Sequence, residues 1–484
     1  MELELGDDSP KEACGVFGVY APGESVALLT FDGLYALQHR GQESAGMAVS
    51  DGGTITVVKD MGLVTNVFDE RNLAPLQGYL AVGHTRYSTT GSSTWRNAQP
   101  SYRSVGEAGF ALAHNGNLTN TTALAQEAGM LPGVVASDSD LMAELISLGS
   151  PEDDLSRSDG RDLETVLMQV LPKLEGAFSL ALMDASHLIG VRDPNGFRPL
   201  CLGQLPGGGW VLASESPALD VIGAQFVREL DPGEMVVIDA SGIRSMRPFA
   251  LERINPKLCI FEFVYFARPD SNLYGKEVHG ARRRMGELLA QQAPVEADLV
   301  MGVPDSGVPA AEGFSRFSGI PYGQGLVKNR YIGRTFIAPT QEARARGVRR
   351  KLNPLKENIF GKRLVVVDDS IVRGTTTRAM VKMLREAGAK EIHMRVSSPP
   401  YRWPCFYGID TGSSSELLAA KLSLEEIQKY LEVDSIAYLS LENLEKAIDA
   451  PGAGFCNACL TGNYPVKIPT SWDKNLLEIT SSGR

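Results

Sequence analysis

The chain has 484 residues, of which 47 are basic and 58 acidic, giving a formal net charge of −11. That balance argues against a general nucleic-acid or anionic-membrane binder, and no apolar run reaches the roughly 18 residues that a membrane span needs. Six cysteines in a chain this long do not make a disulfide framework, so a cytoplasmic enzyme with a few specialised thiols fits better.

From the N-terminus, Met1–Ala13 is acidic and lacks the apolar core of a secretory signal. Short apolar runs broken by Gly, Asn, Asp and Ser then predict strands at Gly15–Tyr20, Ala45–Ser50, Thr54–Lys59, Leu80–Gly83, Phe110–Ala113, Ala177–Met183, Leu188–Arg192 and Trp210–Ser214. Helical patterns cover Val26–Gln38 and Asp140–Leu148. Many strands with few helices predict stacked sheets with outer helices. Pro151–Arg161 is polar and acidic and reads as an exposed loop. Near Leu251–Lys257 the pattern changes to alternation: strands at Ala297–Val303, Leu364–Val367 and Glu391–Val396, and an amphipathic helix Arg378–Ala387 closed by Gly388. This is the pattern of a parallel α/β sheet. The tail after Pro469 carries no usable pattern.

The strongest local motif is Arg363-Leu-Val-Val-Val-Asp368-Asp369-Ser370-Ile-Val-Arg373-Gly374-Thr375-Thr376-Thr377. A buried strand ends in two carboxylates, at the edge where open α/β sheets bind ligands. The Gly/Thr turn that follows opens a helix, whose free N–H groups suit a phosphate. The carboxylates would face sugar hydroxyls and a divalent cation. A second strand ends in Pro304-Asp305-Ser306-Gly307, another tight turn with free N–H groups, suited to a pyrophosphate. A basic stretch follows, with Lys328, Arg330, Arg334, Arg344, Arg346, Arg349, Arg350 and Lys351. A charge run is ordinarily a solvated face, but in an acidic chain this one reads as a lid over a polyphosphate. The motif resembles the signature of type I phosphoribosyltransferases, which bind 5-phosphoribosyl 1-diphosphate (PRPP). The resemblance implies PRPP contacts from Asp305, Ser306, Gly307, Lys328, Arg334, Asp368, Asp369, Ser370, Arg373, Gly374, Thr375 and Thr376. It also implies Mg2+ near Ser306, Asp368 and Asp369.

Cys14 lies in Lys11-Glu-Ala-Cys14-Gly15-Val-Phe-Gly18. A lone cysteine is ordinarily a small hydrophobe, and none of His39, His84, His114, His187, His279 and His393 has an evident partner acid in sequence. An N-terminal nucleophile is the alternative: with Met1–Ala13 removed, the Cys14 α-amino group, of pKa about 8, could serve as base. The segments Gln38-His39-Arg40-Gly41-Gln42-Glu43, His84-Thr85-Arg86-Tyr87-Ser88, His114-Asn115-Gly116-Asn117 and Ser137-Asp138-Ser139 resemble class II (Ntn-type) glutamine amidotransferases. That resemblance implies that Arg86 holds the glutamine carboxylate, Asp138 its ammonium, and the Asn115 side chain with the Gly116 N–H an oxyanion. Taken singly, Arg86 and Asp138 also read as surface ion-pair residues, and Asn115-Gly116 as a type I′ turn.

A class II glutaminase joined to a type I phosphoribosyltransferase resembles the amidophosphoribosyltransferase family from Cys14 to about Val466. The implied fold is an N-terminal Ntn-hydrolase αββα sandwich followed by an α/β phosphoribosyltransferase domain. The implied division is a propeptide over 1–13, a glutaminase over 14–250, a transferase over 251–470 and a tail over 471–484. The implied reaction makes 5-phosphoribosylamine from glutamine and PRPP, the first step of purine synthesis. A homotetramer inhibited by purine nucleotides is expected, without nucleic-acid or membrane partners. Cys456-Asn-Ala-Cys459, with Cys259 and Cys405 far off in sequence, leaves zinc, an iron–sulfur cluster and an empty CxxC all open on chemistry alone. The family resemblance implies a [4Fe–4S] cluster on these four, and Cys201 then belongs to the core. Two rivals weaken on inspection. Other class II amidotransferases would need isomerase or ATP-pyrophosphatase motifs, and a PRPP-sensing regulator would have no use for Cys14.

Overall fold

The computed structural model describes residues 14–468, except 89, 90, 106, 107, 132, 150–162, 330–351, 412, 413, 451 and 453, together with Leu477. The leader, the acidic loop expected at 151–161 and nearly all of the basic stretch, including Arg334, lie outside the described residues.

The N-terminal half is built from two antiparallel sheets laid face to face. The seven-stranded sheet runs Gln225–Glu229, Cys201–Gln204, Trp210–Ala213, Gly15–Tyr20, Leu80–Arg86, Ser44–Ser50, Ile55–Met61. The six-stranded sheet runs Gly242–Met246, Met235–Asp239, Leu188–Arg192, Gly176–Met183, Ala108–Leu118, Ser101–Val105. Period-two alternation sorts each strand's side chains between two cores. Val16 and Tyr20 enter the core between the sheets, with Ala48, Val82, Ala113, Ala181, Leu188 and Leu212. Phe17 and Val19 point the other way, onto the helix Val26–Ala36. In the second sheet Ala111 and Ala113 face inward, while Phe110 and Leu112 pack with residues of the helices Asp138–Leu148 and Leu163–Val170. Both faces of each sheet are thus covered, which gives the four-layered αββα sandwich and explains why these strands read as continuous apolar runs.

The C-terminal half centres on a four-stranded parallel sheet: Leu299–Gly302, Arg363–Asp368, Glu391–Val396, Ser435–Tyr438. Val365 and Val367 pack on the side of the helices Val278–Gln292 and Val308–Ser318. Leu364 and Val366 pack on the opposite side, with Met380 and Leu384 of the helix Thr375–Glu386. Among the described residues no helix is long and apolar enough to cross a membrane.

Candidate active sites

Cys14 directly precedes the strand Gly15–Tyr20, whose Gly15 pairs with Thr85. This register sets Cys14 beside the strand end that carries Arg86 and Tyr87. The buried thiol donates to the Tyr87 carbonyl at 3.3 Å and accepts the Tyr87 N–H at 3.4 Å. Burial pushes the thiol up to about 11, opposed by the Tyr87 hydrogen bond and by Arg86, while Glu43 and Asp138 add to the rise. Arg86 and Asp138 therefore both reach Cys14 electrostatically. They are 3% and 4% exposed, so neither is a surface ion-pair residue.

Asp138 opens the helix Asp138–Leu148, capped by the Ser137 hydroxyl. Its carboxylate accepts N–H groups from Leu118 at 3.2 Å and Ser139 at 2.8 Å, and the helix start favours its negative charge. Asn115 sits inside the strand Ala108–Leu118 rather than at a turn. It is fully buried, and neither its amide nitrogen nor its amide oxygen has a hydrogen-bond partner. Leaving such a group unsatisfied costs about 1–3 kcal/mol, so the side chain is poised for a ligand. Gly116 has φ +149°, and a Cβ there would meet the Ala177 carbonyl oxygen at 2.0 Å. Only glycine fits.

Every histidine looked partnerless in sequence, and the fold overturns this for several. His39 Nε2 is 2.7 Å from Glu215 and His114 Nδ1 is 3.8 Å from Asp138. His187 and His393 meet Asp184 and Glu391. The partners of His39 and His114 are distant in the chain, which hid them. His84 is fully buried, donates through Nε2 to the His114 carbonyl at 2.9 Å, and is pushed down to about 3 by burial. A neutral histidine that weakly basic is a poor substitute for an amine base.

The phosphoribosyl motif forms one strand-to-helix unit. Asp368 ends its strand, and Gly374, at φ +78°, caps the helix Thr375–Glu386. A Cβ on Gly374 would strike Leu418 at 2.6 Å. Thr375 and Thr376 thus occupy the first turn of that helix. Asp369 is buried; burial raises its carboxyl, against hydrogen bonds from Ser306 and Ser370 and the charge of Arg282. The Ser370 hydroxyl donates to it at 2.6 Å. Contact with Ser306 joins the two turns, since Ser306 lies between the strand Leu299–Gly302 and the helix Val308–Ser318. The turn is further tied to the central strand by the Val303 N–H, which donates to the Val367 carbonyl at 2.8 Å. Lys328 ends a short strand with Nζ 2.5 Å from Asp305, and Arg373 pairs with Glu416 at 2.6 Å. Among the described residues, no three His, Cys, Asp or Glu converge on a metal ion. Magnesium ordinarily takes one or two carboxylates plus substrate phosphates, and Asp368–Asp369 fit that requirement.

Four of the five remaining cysteines converge from three segments. Cys259 lies opposite Cys456 in a short parallel ladder. Cys459 is raised well above the ordinary thiol range by burial, with Cys405, Cys259 and Cys456 all adding to the shift. Four cysteine thiols are a donor set that zinc or a [4Fe–4S] cluster takes; among the described residues no group of three or more His, Cys, Asp or Glu that could hold a metal ion is formed. Cys201 stands apart in the core and donates to the Ala213 carbonyl at 3.2 Å.

The comparisons follow this division. A glutamine amidotransferase domain model matches residues 84–221 and a phosphoribosyl transferase domain model matches 274–398. The amidophosphoribosyltransferase of Mycobacterium tuberculosis (strain H37Rv) is 53% identical over 486 residues, covering 97% of this chain and 90% of that protein. That of Bacillus subtilis is 46% identical over 464 residues, covering 94% and 95%. The chain belongs to the amidophosphoribosyltransferase family. The solved glutamine PRPP amidotransferase from B. subtilis, complexed with ADP and GMP, superposes with a TM-score of 0.86 at 44% identity, covering 96% of this chain and all of that one.

The enzyme is accordingly a glutamine-dependent amidophosphoribosyltransferase, acting at the first step of purine biosynthesis. Its sites include residues that sequence motifs did not single out. Gln99 steadies the Asn115 strand: its Oε1 accepts the His114 N–H at 2.8 Å and its Nε2 donates to Ser139 at 3.0 Å. Glu43 accepts from the Ser88 N–H at 3.0 Å and faces the Cys14 thiol. Buried Arg282 sends its charge toward Asp369 while donating to the Phe263 and Ala267 carbonyls, each at 2.8 Å. Only Glu43 sits in a quoted motif; the others work through partners far away in the chain.

Proposed function

We propose that Cys14 is the glutaminase nucleophile, and that the ammonia it releases is consumed at the PRPP turns around Asp305 and Asp368. The Cys14 thiolate attacks the glutamine amide, and the Asn115 amide with the Gly116 N–H takes the developing oxyanion; the C–N bond breaks to release ammonia, and water then hydrolyses the γ-glutamyl thioester to glutamate and the free thiol. Arg86 holds the substrate carboxylate and Asp138 its ammonium. A thiol pushed up to about 11 needs a base, and the Cys14 α-amino group, once residues 1–13 are removed, is the one chemistry supplies.

Ammonia passes through the protein, since bulk water would protonate it, and attacks C1 of the ribose as pyrophosphate departs. The helix start at Gly374, Thr375 and Thr376, with Ser370 and Arg373, grips a phosphate. Asp305, Ser306 and Gly307 meet the pyrophosphate, and Lys328 and Arg334 supply positive charge to it. Ser306, Asp368 and Asp369 are the residues that would hold magnesium, which supplies positive charge at the leaving group. Cys259, Cys405, Cys456 and Cys459 would hold a [4Fe–4S] cluster, which supplies cross-links rather than electrons. The division into a glutaminase over 14–250 and a transferase over 251–470, a cytoplasmic homotetramer, and inhibition by purine nucleotides belong to the same reading. The relative solved with ADP and GMP supports the last of these.

The orphaned Asn115 amide carries the reading. Asn115→Ala should lower glutamine-dependent kcat roughly 100- to 1000-fold, as loss of an oxyanion donor does, with little change in the KM for glutamine. An unchanged kcat would remove Asn115 from that role.

A further inference from the structure

Arg40 lies buried between the two halves of the enzyme. Its Nε donates to the Cys14 carbonyl at 3.2 Å. Its two terminal nitrogens grip Glu262, with Nη1 3.0 Å from Oε2 and Nη2 2.8 Å from Oε1. Nη1 also bonds Glu215. Glu262 is fully buried and accepts a further bond from Arg198 at 3.2 Å. Arg40, Arg198 and Glu215 belong to the glutaminase half, whereas Glu262 opens the helical turn Glu262–Phe266 of the transferase half. Glu215 reaches across in turn, accepting the Arg268 N–H at 2.9 Å and the Ser271 hydroxyl.

A guanidinium is a planar, rigid fork. Once Glu262 occupies both terminal nitrogens, the plane of Arg40 is fixed, and so is the direction of its Nε–H bond to Cys14. That bond fixes the Cys14 carbonyl, hence the Cα–Cβ direction and the place of the sulfur. We infer that Glu262 is a positioning residue for glutamine hydrolysis: a carboxylate of the transferase half completes the glutaminase site by holding Arg40 against the Cys14 backbone. The inference rests on Cys14 being the nucleophile.

The test is Glu262→Gln in the full enzyme, a near-isosteric change that turns one acceptor into a donor facing Arg40. Glutamine-dependent kcat should fall roughly 10- to 100-fold, the scale of a small misplacement of a reacting atom. The KM for glutamine should barely move, because Arg86 and Asp138 are untouched, and ammonia-dependent kcat should stay within about twofold. Alkylation of Cys14 by a diazoketone glutamine analogue should slow in step with kcat, a change that a loss of folded protein alone would not produce. Glu262→Asp, which keeps the charge but withdraws it by one methylene, gives the same comparison if the first variant does not fold. Full glutamine-dependent kcat in folded Glu262→Gln, or equal loss with glutamine and with ammonia, would overturn the inference. Cys14→Ala in the same assay separates the two claims. Glutamine turnover by Cys14→Ala removes the nucleophile itself, whereas an inactive Cys14→Ala beside a fully active Glu262→Gln removes only the role of Glu262.

Discussion

The Asn117 side-chain amide donates to the Phe406 carbonyl at 2.9 Å, tying the strand that carries Asn115 and Gly116 to the segment that carries Cys405. The tie is reinforced by Phe197 stacked on Tyr407 at 4.5 Å and by Arg198, whose Nη2 donates to the Tyr407 carbonyl at 3.0 Å. A cross-link among Cys259, Cys405, Cys456 and Cys459 would therefore brace the strand that carries Asn115 as well as the end of the chain. The purified protein should be brown and contain iron and acid-labile sulfide. Cys456→Ser should lose the iron, lower the thermal midpoint and depress glutamine-dependent turnover. Cys201→Ser should keep the iron and cost about 1–2 kcal/mol, since a hydroxyl there retains the Ala213 carbonyl as partner. Stable, active, colourless protein containing zinc would contradict the cluster.

Acid should destabilise the fold through the buried histidines. His84 is held at about 3 against an ordinary 6.5, mainly by burial, and burial lowers His114 as well. Between those two values the unfolded chain binds the proton and the native chain does not, so stability rises with pH across that window. For His84 the penalty is absent above about pH 6.5 and grows toward about pH 3, by at most about 1.4 kcal/mol per pH unit; His114 acts in the same direction. Chemical denaturation from pH 7 to pH 5 should show falling stability, and His84→Gln should flatten the slope. A slope unchanged by that variant would contradict the assignment.

If Asp368 and Asp369 bind PRPP, synthesis from either nitrogen source depends on them. Replacing Asp368 and Asp369 together by Asn should abolish ammonia-dependent and glutamine-dependent synthesis alike. Steady-state assays with each nitrogen source check this, and surviving ammonia-dependent activity would move the PRPP site elsewhere.

The sequence made much of this legible wherever function is local in the chain. The strands Gly15–Tyr20, Leu188–Arg192 and Glu391–Val396 stand where the apolar runs predict them, because both faces of each are covered; even the charged or polar members Arg192, His393 and Arg395 are buried. The edge strand Gln225–Glu229 escaped because its first three residues are exposed, which erases the alternation that marks a strand. Ser435–Tyr438 is only four residues long, too short for periodicity to register. The same contrast holds at the sites. Asp368, Asp369, Gly374 and Thr375 sit side by side in one motif, whereas the Arg40–Glu262 pair is separated by 222 positions and neither residue's neighbours signal the other. Asn115 could be read as a turn residue because Asn-Gly favours turns locally; the sheet overrode that preference by pairing Gly116 with Phe178 and setting it close against the Ala177 carbonyl.

Maturation should control the glutaminase. An amide nitrogen between Ala13 and Cys14 is not basic, whereas a free α-amino group of pKa about 8 is. The active enzyme should begin at Cys14, and intact mass or N-terminal sequencing of active protein checks this. Full glutamine-dependent activity from protein still carrying Met1 to Ala13 would require another base, and His84, held at about 3, is poorly suited to the task.

The most direct test of two sites working in series is pyrophosphate release from PRPP, measured for wild type and Cys14→Ala with glutamine and with ammonium. Wild type should use both nitrogen sources. Cys14→Ala should lose the glutamine-dependent reaction and keep the ammonia-dependent one, because the transferase site needs only ammonia and PRPP. Loss of both activities in a folded Cys14→Ala enzyme, or glutamine use by that variant, would contradict the account.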